Sequence, residues 1–531
     1  MAKIKKDKTK TLEAGLWEAC NQLRGSVNPF EYMQVVFGLL FLRFATEKFN
    51  IQKEKLIKEG DEDFLETPSF YLQDNVFFIP EESRWDYISK HSKQTDIAIK
   101  IDEALQKLED ANDSLTGCLP KGYYTKLSIT PSNMASLVSN MSNIEIDHDE
   151  MDDFIGKVYE YFMNKFADLT KKDKGEFYTP RSIVELIAEL IEPYPIRKPD
   201  GTVSCKVYDP CCGTGGMFIQ SRKFVEKHQG NLTEVSIYGQ EKTDTTYRLA
   251  RMNLAIRGIS ANIGQKEGST FTIDQHKDLR ADYIMANPPF NLKGWREENE
   301  LLEDPRWNGY EIPPVSNANY AWILHMLSRL SVNGVAGFLL ANGALSASGE
   351  EYKIRKQLIE NDKIEAIIVL PREMFFYTDI SVTLWIVTHN KKQRNITRDG
   401  QPVILRDRSN EILFVDLRTY NTDRSPEKTV VFSEETIKFV KQIFQSWQAP
   451  NYQQIYKDVP ELCKSVKKSD LIDYSLVPSK YIEFIDHDLE INYEEKMKEI
   501  QRNMKKLMHE EIETHDMLVK AFEGIGFKID E

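Results

Sequence analysis

Four consecutive residues, Asn287, Pro288, Pro289 and Phe290, carry the sharpest chemical signal in the chain. Two adjacent prolines fix φ and remove two N–H donors, so the loop they form is rigid and its carbonyls are free to accept hydrogen bonds. Asn287 brings an amide oxygen, Pro288 a backbone carbonyl and Phe290 a flat apolar face. That set suits an exocyclic amine on an aromatic base: two acceptors take its two N–H groups while a ring stacks on the base. The amine of adenine is a poor nucleophile because its lone pair is delocalised into the ring. Two fixed acceptors can turn that lone pair toward an electrophilic methyl, so that positioning, rather than a metal, supplies most of the catalysis. A base in a duplex hides its amine and must leave the stack, and Phe290 is the candidate to replace the lost stacking. The bland reading of the same residues is a turn at a strand end.

Three further motifs precede this loop. Asp209 to Gly216 reads DPCCGTGG at the end of an apolar run, with Gly213, Gly215 and Gly216 permitting a tight turn and close backbone approach at a helix N-terminus. A turn of this kind serves a dinucleotide, an S-adenosyl group or packing alone. Glu241, 32 residues beyond Asp209, ends the next apolar run, where an acid is placed either to accept from ribose hydroxyls or to cap a helix. Upstream, GEFYTP (Gly175 to Pro180) and Arg181 lead into SIVELIAELI. There Thr179 caps a helix with Pro180 at its first position, or Phe177, Tyr178 and Thr179 form a lid over a cofactor.

The elements that must hold these motifs follow from the apolar pattern. Residues 11–145 read as helical, with apolar spacings of three and four in TLEAGLWEACNQL and NPFEYMQVVFGLLFLRFATEKF. From about residue 150, helical segments alternate with short apolar runs: Cys205–Asp209, Val235–Glu241, Ala281–Asn287, Gly334–Asn342, Ile364–Leu370 and Val382–Asn390. Such runs predict a mostly parallel sheet covered on both faces, which binds ligands at its carboxyl edge. Residues 391–475 are mixed, with a strand in EILFVDLR and a helix over Ser433–Trp447. Beyond Tyr493 a near-heptad stripe of Met497, Ile500, Met504, Leu507, Leu518 and Phe522 marks a charged helix that packs on its own chain or docks on another subunit. The division expected is a helical N-terminal domain over 1–148, a catalytic domain over 149–475 and a helical tail over 476–531.

Composition bounds the class. The 531 residues are 41% hydrophobic, 29% charged and 11% aromatic, which excludes disordered and collagen-like chains and leaves room for about three or four structural units. Lys and Arg number 69 against 83 Asp and Glu, a net charge of −14 that repels phosphate on average. Work on DNA therefore needs a local basic groove or a partner. Six cysteines without paired CxxC spacing fit a reducing cytoplasm and no metal site. The most apolar stretch, Val35–Phe44, is about half a membrane span and contains Arg43, and no signal-peptide core follows the basic start.

Taken in order, GEFYTP, DPCCGTGG, GQE, ARMNLAIRG (Ala250–Gly258), KDL (Lys277–Leu279) and ANPPF resemble the modification subunit of type I restriction-modification systems, adenine-N6 DNA methyltransferases that use S-adenosylmethionine. The likeness extends through EEYKIRKQLIENDKIEAIIVLPREMFF and back to LWEACNQLRG. It implies a Rossmann-like α/β methyltransferase domain between a helical N-terminal domain and a helical tail. It also implies that Glu176, Phe177, Tyr178, Thr179, Pro180, Arg181, Gly213, Thr214, Gly215 and Gly216 contact S-adenosylmethionine, with Asp209 supporting the turn. Glu241 would hold the ribose, Asp278 would lie near the cofactor adenine, and Asn287, Pro288, Pro289 and Phe290 would grip a flipped adenine. Two positions depart from the pattern: Cys211 stands where Thr or Ala is common, and Asn291 where Gly is common.

The partners implied are double-stranded DNA, a DNA specificity subunit, a second copy of this chain in the complex and, where one exists, a restriction translocase. Only 78 positions separate Asp209 from Asn287, which leaves no room for an inserted recognition domain, so target reading belongs to another polypeptide. Two other readings compete: a methyltransferase of an RNA base or a glutamine amide, and an assembly protein that keeps the fold without activity. The intact Asn287 and Phe290 argue against the second.

Overall fold

A computed structural model describes residues 29–127, 129–143, 179–197, 201–228, 230–375, 381–398, 401–420, 422–425, 429–485 and 493–524. Glu176, Phe177, Tyr178 and the LWEACNQLRG segment lie outside the described residues.

Between residues 29 and 143 the described residues form helices and no strand. Helix α1 (Pro29–Glu59) begins on a proline, whose fixed φ suits the first helical turn, and buries Val35, Val36, Leu39, Leu40, Leu42 and Phe49. Helix α2 (Ile97–Asp110) buries Ile97, Ile101, Ala104, Leu105 and Leu108, the stripe that a 3.6-residue period turns inward. Helix α3 (Pro131–Ser142) is opened by Thr130, whose hydroxyl accepts the Asn133 N–H at 3.2 Å, with Pro131 following.

The remainder is built on a large mixed sheet. Its strands are β1 (Val203–Asp209), β2 (Val235–Gly239), β3 (Ala261–Asn262), β4 (Ala281–Ala286), β5 (Leu330–Ala341), β6 (Ile364–Val369), β7 (Val382–Thr388), β8 (Glu411–Asp416) and β9 (Cys463–Lys467). They lie in the order β9-β8-β6-β7-β5-β4-β1-β2-β3, and a short Ile196–Arg197 strand pairs with β1. The pairings from β3 through β5 are all parallel, as is β6 with β8, whereas β7 runs antiparallel to both β5 and β6. Each apolar run expected to be a strand is one. Strands β6 and β7 are successive in the chain and neighbours in the sheet, and they run antiparallel.

Strands β4, β6 and β7 are buried at every residue because both faces are covered. Alternate side chains feed two cores. Leu384 and Ile386 join α4 (Arg181–Ile191), α5 (Gly216–Lys227) and α9 (Glu434–Gln448), while Trp385 and Val387 join α7 (Asn319–Arg329) and α8 (Gly349–Glu360). Phe338 of β5 stacks on Trp385 at 6.2 Å, tying neighbouring strands on that second face.

Helix α6 (Asp244–Ile256) belongs to two cores at once. Leu249, Met252 and Ile256 pack into the N-terminal helical cluster, and Tyr247, Ala250 and Leu254 into the sheet core. Arg251 donates to the Thr116 carbonyl at 2.7 Å, and Lys48 to the Ile256 carbonyl at 2.7 Å.

The chain ends its described course in α10 (Tyr493–Gly524), 32 residues and so about 48 Å long. Met504, Leu507 and Leu518 on it are 61%, 64% and 52% exposed, so the apolar stripe is not spent on this chain's own body.

Candidate functional site

Strand β1 leaves its neighbours on opposite sides: the chain passes from β1 to β2 on one flank, and β4 then pairs with the other, Val207 opposite Tyr283 and Tyr208 opposite Ile284. The carboxyl ends of β1 and β4 therefore flank a topological switch point, where an open α/β sheet leaves a crevice. Asp209 ends β1, and Asn287 follows the last residue of β4. A cleft open to solvent lies there, and Thr179, Arg181, Asp209, Gly213, Thr214, Gly216 and Asn287 line it.

The glycine turn has the conformation its composition suggests. Gly213 and Gly215 have φ of +53° and +85°, and a Cβ on Gly215 would meet Leu254 of α6 at 3.4 Å. The turn is held from three directions. The Gly213 N–H donates to Glu241 Oε2 at 3.1 Å, the Cys212 N–H to the Gln240 carbonyl at 2.9 Å, and Asn253 Nδ2 of α6 to the Thr214 carbonyl at 2.7 Å. Gly216 opens α5, so a helix N-terminus faces the cleft.

Asp209 is buried and accepts the Cys211 N–H at 3.0 Å. Burial pushes its carboxyl up to about 7, and the Glu241 carboxylate adds to the rise against the hydrogen bonds from Cys211. Glu241 Oε1 accepts the Thr243 N–H at 2.9 Å, so this residue caps the approach to α6 and braces the turn together. Glu241 and Gly215 are not among the residues that line the cleft, and Glu241 reaches the lining through Gly213.

The two-proline loop is fixed on both sides. Asn287 Nδ2 donates to Thr179 Oγ1 at 3.0 Å, while Asn287 Oδ1 is buried without a hydrogen-bond partner among the described residues. Pro288 is buried, and Phe375, from the PREMFF segment, meets Phe290 at right angles with ring centroids 6.3 Å apart. Asn291 takes a left-handed φ of +54°, which asparagine tolerates, and exchanges hydrogen bonds with Asn319 of α7 at 3.0 and 2.8 Å. Pro180 is the residue just before α4, and that helix end has no side-chain cap, so the Thr179 hydroxyl serves Asn287 instead of the helix.

Asp278 is not brought to this cleft. It is exposed, lies three residues ahead of β4, and is not among the residues that line the cleft. The segment that does reach the carboxyl edge after β3 is Gly268–Thr270. The Gly268 N–H donates to the Glu241 carbonyl at 2.8 Å, and the Thr270 hydroxyl donates to the Pro210 carbonyl. Sequence reading also passed over Met217 and Gln220, which line the cleft from the first turns of α5. Their three-residue spacing on a helix starting at Gly216 was the available signal.

The donor set fits a nucleoside-bearing methyl donor: a helix N-terminus and buried acids on one side, an unpartnered acceptor on the other. A sheet of this order with a glycine turn on its first strand and an acceptor loop on its fourth defines the Rossmann-like methyltransferase class. The comparisons with known proteins narrow it. The family described as N-6 DNA Methylase matches residues 150–490, and the HsdM N-terminal domain matches residues 12–144. The chain belongs to the N-6 DNA methylase family.

It is 30% identical to the type I restriction enzyme MjaIX methylase subunit of Methanocaldococcus jannaschii, over 98% of this chain and 92% of that one. It is 34% identical to the HindI methylase subunit of Haemophilus influenzae, over 85% of this chain and all of that one. In fold it is similar to the crystal structure of a type I restriction-modification methyltransferase subunit from Streptococcus thermophilus, with a TM-score of 0.72 at 19% identity, covering 90% of this chain and all of that one.

Proposed function

We propose that this chain is the methylating subunit of a type I restriction-modification complex and transfers a methyl group from S-adenosylmethionine to N6 of a flipped-out adenine in DNA. The observation that carries the reading is the buried, unpartnered Asn287 Oδ1 at the cleft wall, next to the rigid carbonyl of Pro288. An acceptor buried without a donor is costly unless a ligand supplies one, and an exocyclic amine does. When bound, S-adenosylmethionine supplies an electrophilic methyl. Asn287 and Pro288 hold the amine by its two hydrogens, Pro289 keeps the loop stiff, and Phe290 receives the base.

Gly213 to Gly216 and the N-terminus of α5 approach the cofactor with backbone. Asp209 supports the turn, and Glu241 braces it while offering acceptors to ribose hydroxyls. Thr179, Pro180 and Arg181 close the methionine side together with the sequence just before them.

The N-6 DNA methylase membership favours DNA over an RNA base or a glutamine amide as acceptor. Target reading falls to a separate specificity subunit, because α5, β2, α6 and β3 fill the chain between the two motifs and the net charge is −14. The exposed stripe of α10 docks that subunit, with two copies of this chain per complex and a restriction translocase joining where one exists. No described helix is long and apolar enough to cross a membrane, and we place the complex in the cytoplasm with its DNA.

The test is transfer of labelled methyl to unmodified DNA, with and without the co-expressed specificity subunit, followed by identification of the modified nucleoside. N6-methyladenine formed only with the partner is the expected result. Label in RNA or protein, or in DNA without any partner, overturns the assignment.

A further inference from the structure

We infer that Thr179 is the positioning residue of the catalytic amide: its hydroxyl sets which end of Asn287 faces the reacting amine. The inference rests on the reading of Asn287 given above. Thr179 and Asn287 are 108 residues apart, and both line the cleft. A threonine before a proline and a helix ordinarily caps that helix, yet α4 has no side-chain cap, and the hydroxyl accepts Asn287 Nδ2–H at 3.0 Å.

The consequence follows from the chemistry of a carboxamide. Its two ends are nearly equal in shape and opposite in function, one accepting and one donating two hydrogens. Only the orientation with oxygen toward the cleft holds an amine; the reverse points N–H at N–H. With Oδ1 buried and unpartnered among the described residues, the Thr179 hydroxyl anchors the amide and takes up the N–H that would otherwise be left unsatisfied. Pro180 makes the anchor stiff, because the residue before a proline is confined to extended backbone. The arrangement also joins the segment expected on the cofactor to the loop expected on the base, so the two halves of the reaction share one hydrogen bond.

The experiment compares Thr179→Val, which keeps the shape and loses the hydroxyl, with Thr179→Ser, which keeps the hydroxyl, each in the full chain bound to its specificity subunit. Thr179→Val is expected to lower kcat at saturating S-adenosylmethionine by about tenfold or more, with KM for S-adenosylmethionine within about twofold of wild type, and Thr179→Ser to restore kcat to within about twofold. A Val variant as fast as wild type, a loss confined to KM, or a Ser variant as slow as Val overturns the inference.

A second readout needs neither DNA nor turnover. In 15N-asparagine-labelled chain, the Asn287 side-chain amide resonance, assigned through Asn287→Ala, shifts in the Val variant and returns in the Ser variant; an unmoved resonance refutes the hydrogen bond. The identity of the wild-type product separately tests the adenine reading. A product other than N6-methyladenine removes that reading, while the Val and Ser rates and the amide resonance still decide the role of Thr179.

Discussion

Gly213 and Glu241 are bonded to each other across the carboxyl edge of the sheet, the glycine N–H reaching Glu241 Oε2 at 3.1 Å while the other carboxylate oxygen takes the Thr243 N–H at 2.9 Å. One side chain thus holds the tip of the glycine turn to the start of α6.

Replacing Glu241 with Gln leaves one acceptor oxygen for two backbone donors and aims an amide N–H at the other. The dissociation constant for S-adenosylmethionine, measured by calorimetry, should rise about tenfold or more, equivalent to at least roughly 1.4 kcal/mol. Unchanged affinity would show that the turn is held without this residue.

Removing the acceptor itself is the sharper cut. Asn287→Ala should reduce methyl transfer by at least about a hundredfold, in line with the loss of a preorganised polar contact. Because Oδ1 has no partner among the described residues, its removal should leave assembly with the specificity subunit intact by size-exclusion chromatography. Surviving methylation would move the catalytic role elsewhere.

Acidity offers an independent check on Asp209. Burial, first, and the neighbouring Glu241 raise its carboxyl from an ordinary 3.8 to about 7. Between those values the folded chain keeps a proton that the unfolded chain has released, so Asp209 destabilises the fold progressively as pH rises through the window, and the cost is complete above about pH 7. Asp209→Asn removes the charge and keeps the shape. The melting temperature of the ligand-free Asn variant relative to wild type should climb from pH 4 to pH 7 and then level off. A difference that stays flat across that range would mean Asp209 is ionised throughout.

The stripe on α10 gives a prediction about assembly. Met504→Asp with Leu507→Asp changes side chains that are 61% and 64% exposed, so the isolated chain should melt within about 1 °C of wild type. Copurification with the specificity subunit should be lost. Retention of the complex would place its interface on another surface.

Much of this was legible in the sequence because residue type and period carry it. The runs that became β4, β6 and β7 are continuous and apolar because each strand is buried on both faces, and the two-proline loop and glycine turn announce themselves by composition. The direction of β7 was not legible: periodicity reports which faces are buried, while strand direction depends on the connection from β6. Asp278 was assigned from the place of KDL in the family resemblance, and an ordered set of motifs does not report where a residue lies relative to β4. The bond between Thr179 and Asn287 joins residues that no local pattern relates, and only the folded sheet brings them together.

Helix α6 makes the border between the two matched regions, near residues 144 and 150, a poor place to cut. A chimera that exchanged the N-terminal helices for those of a relative would have to recut the sockets around Leu249, Met252 and Ile256, and a truncation would strip those side chains bare. The same rod braces the glycine turn through Asn253 and Leu254. A torque applied to the outer helices therefore has a mechanical route of 13 residues into the cofactor cradle, with no hinge along its length.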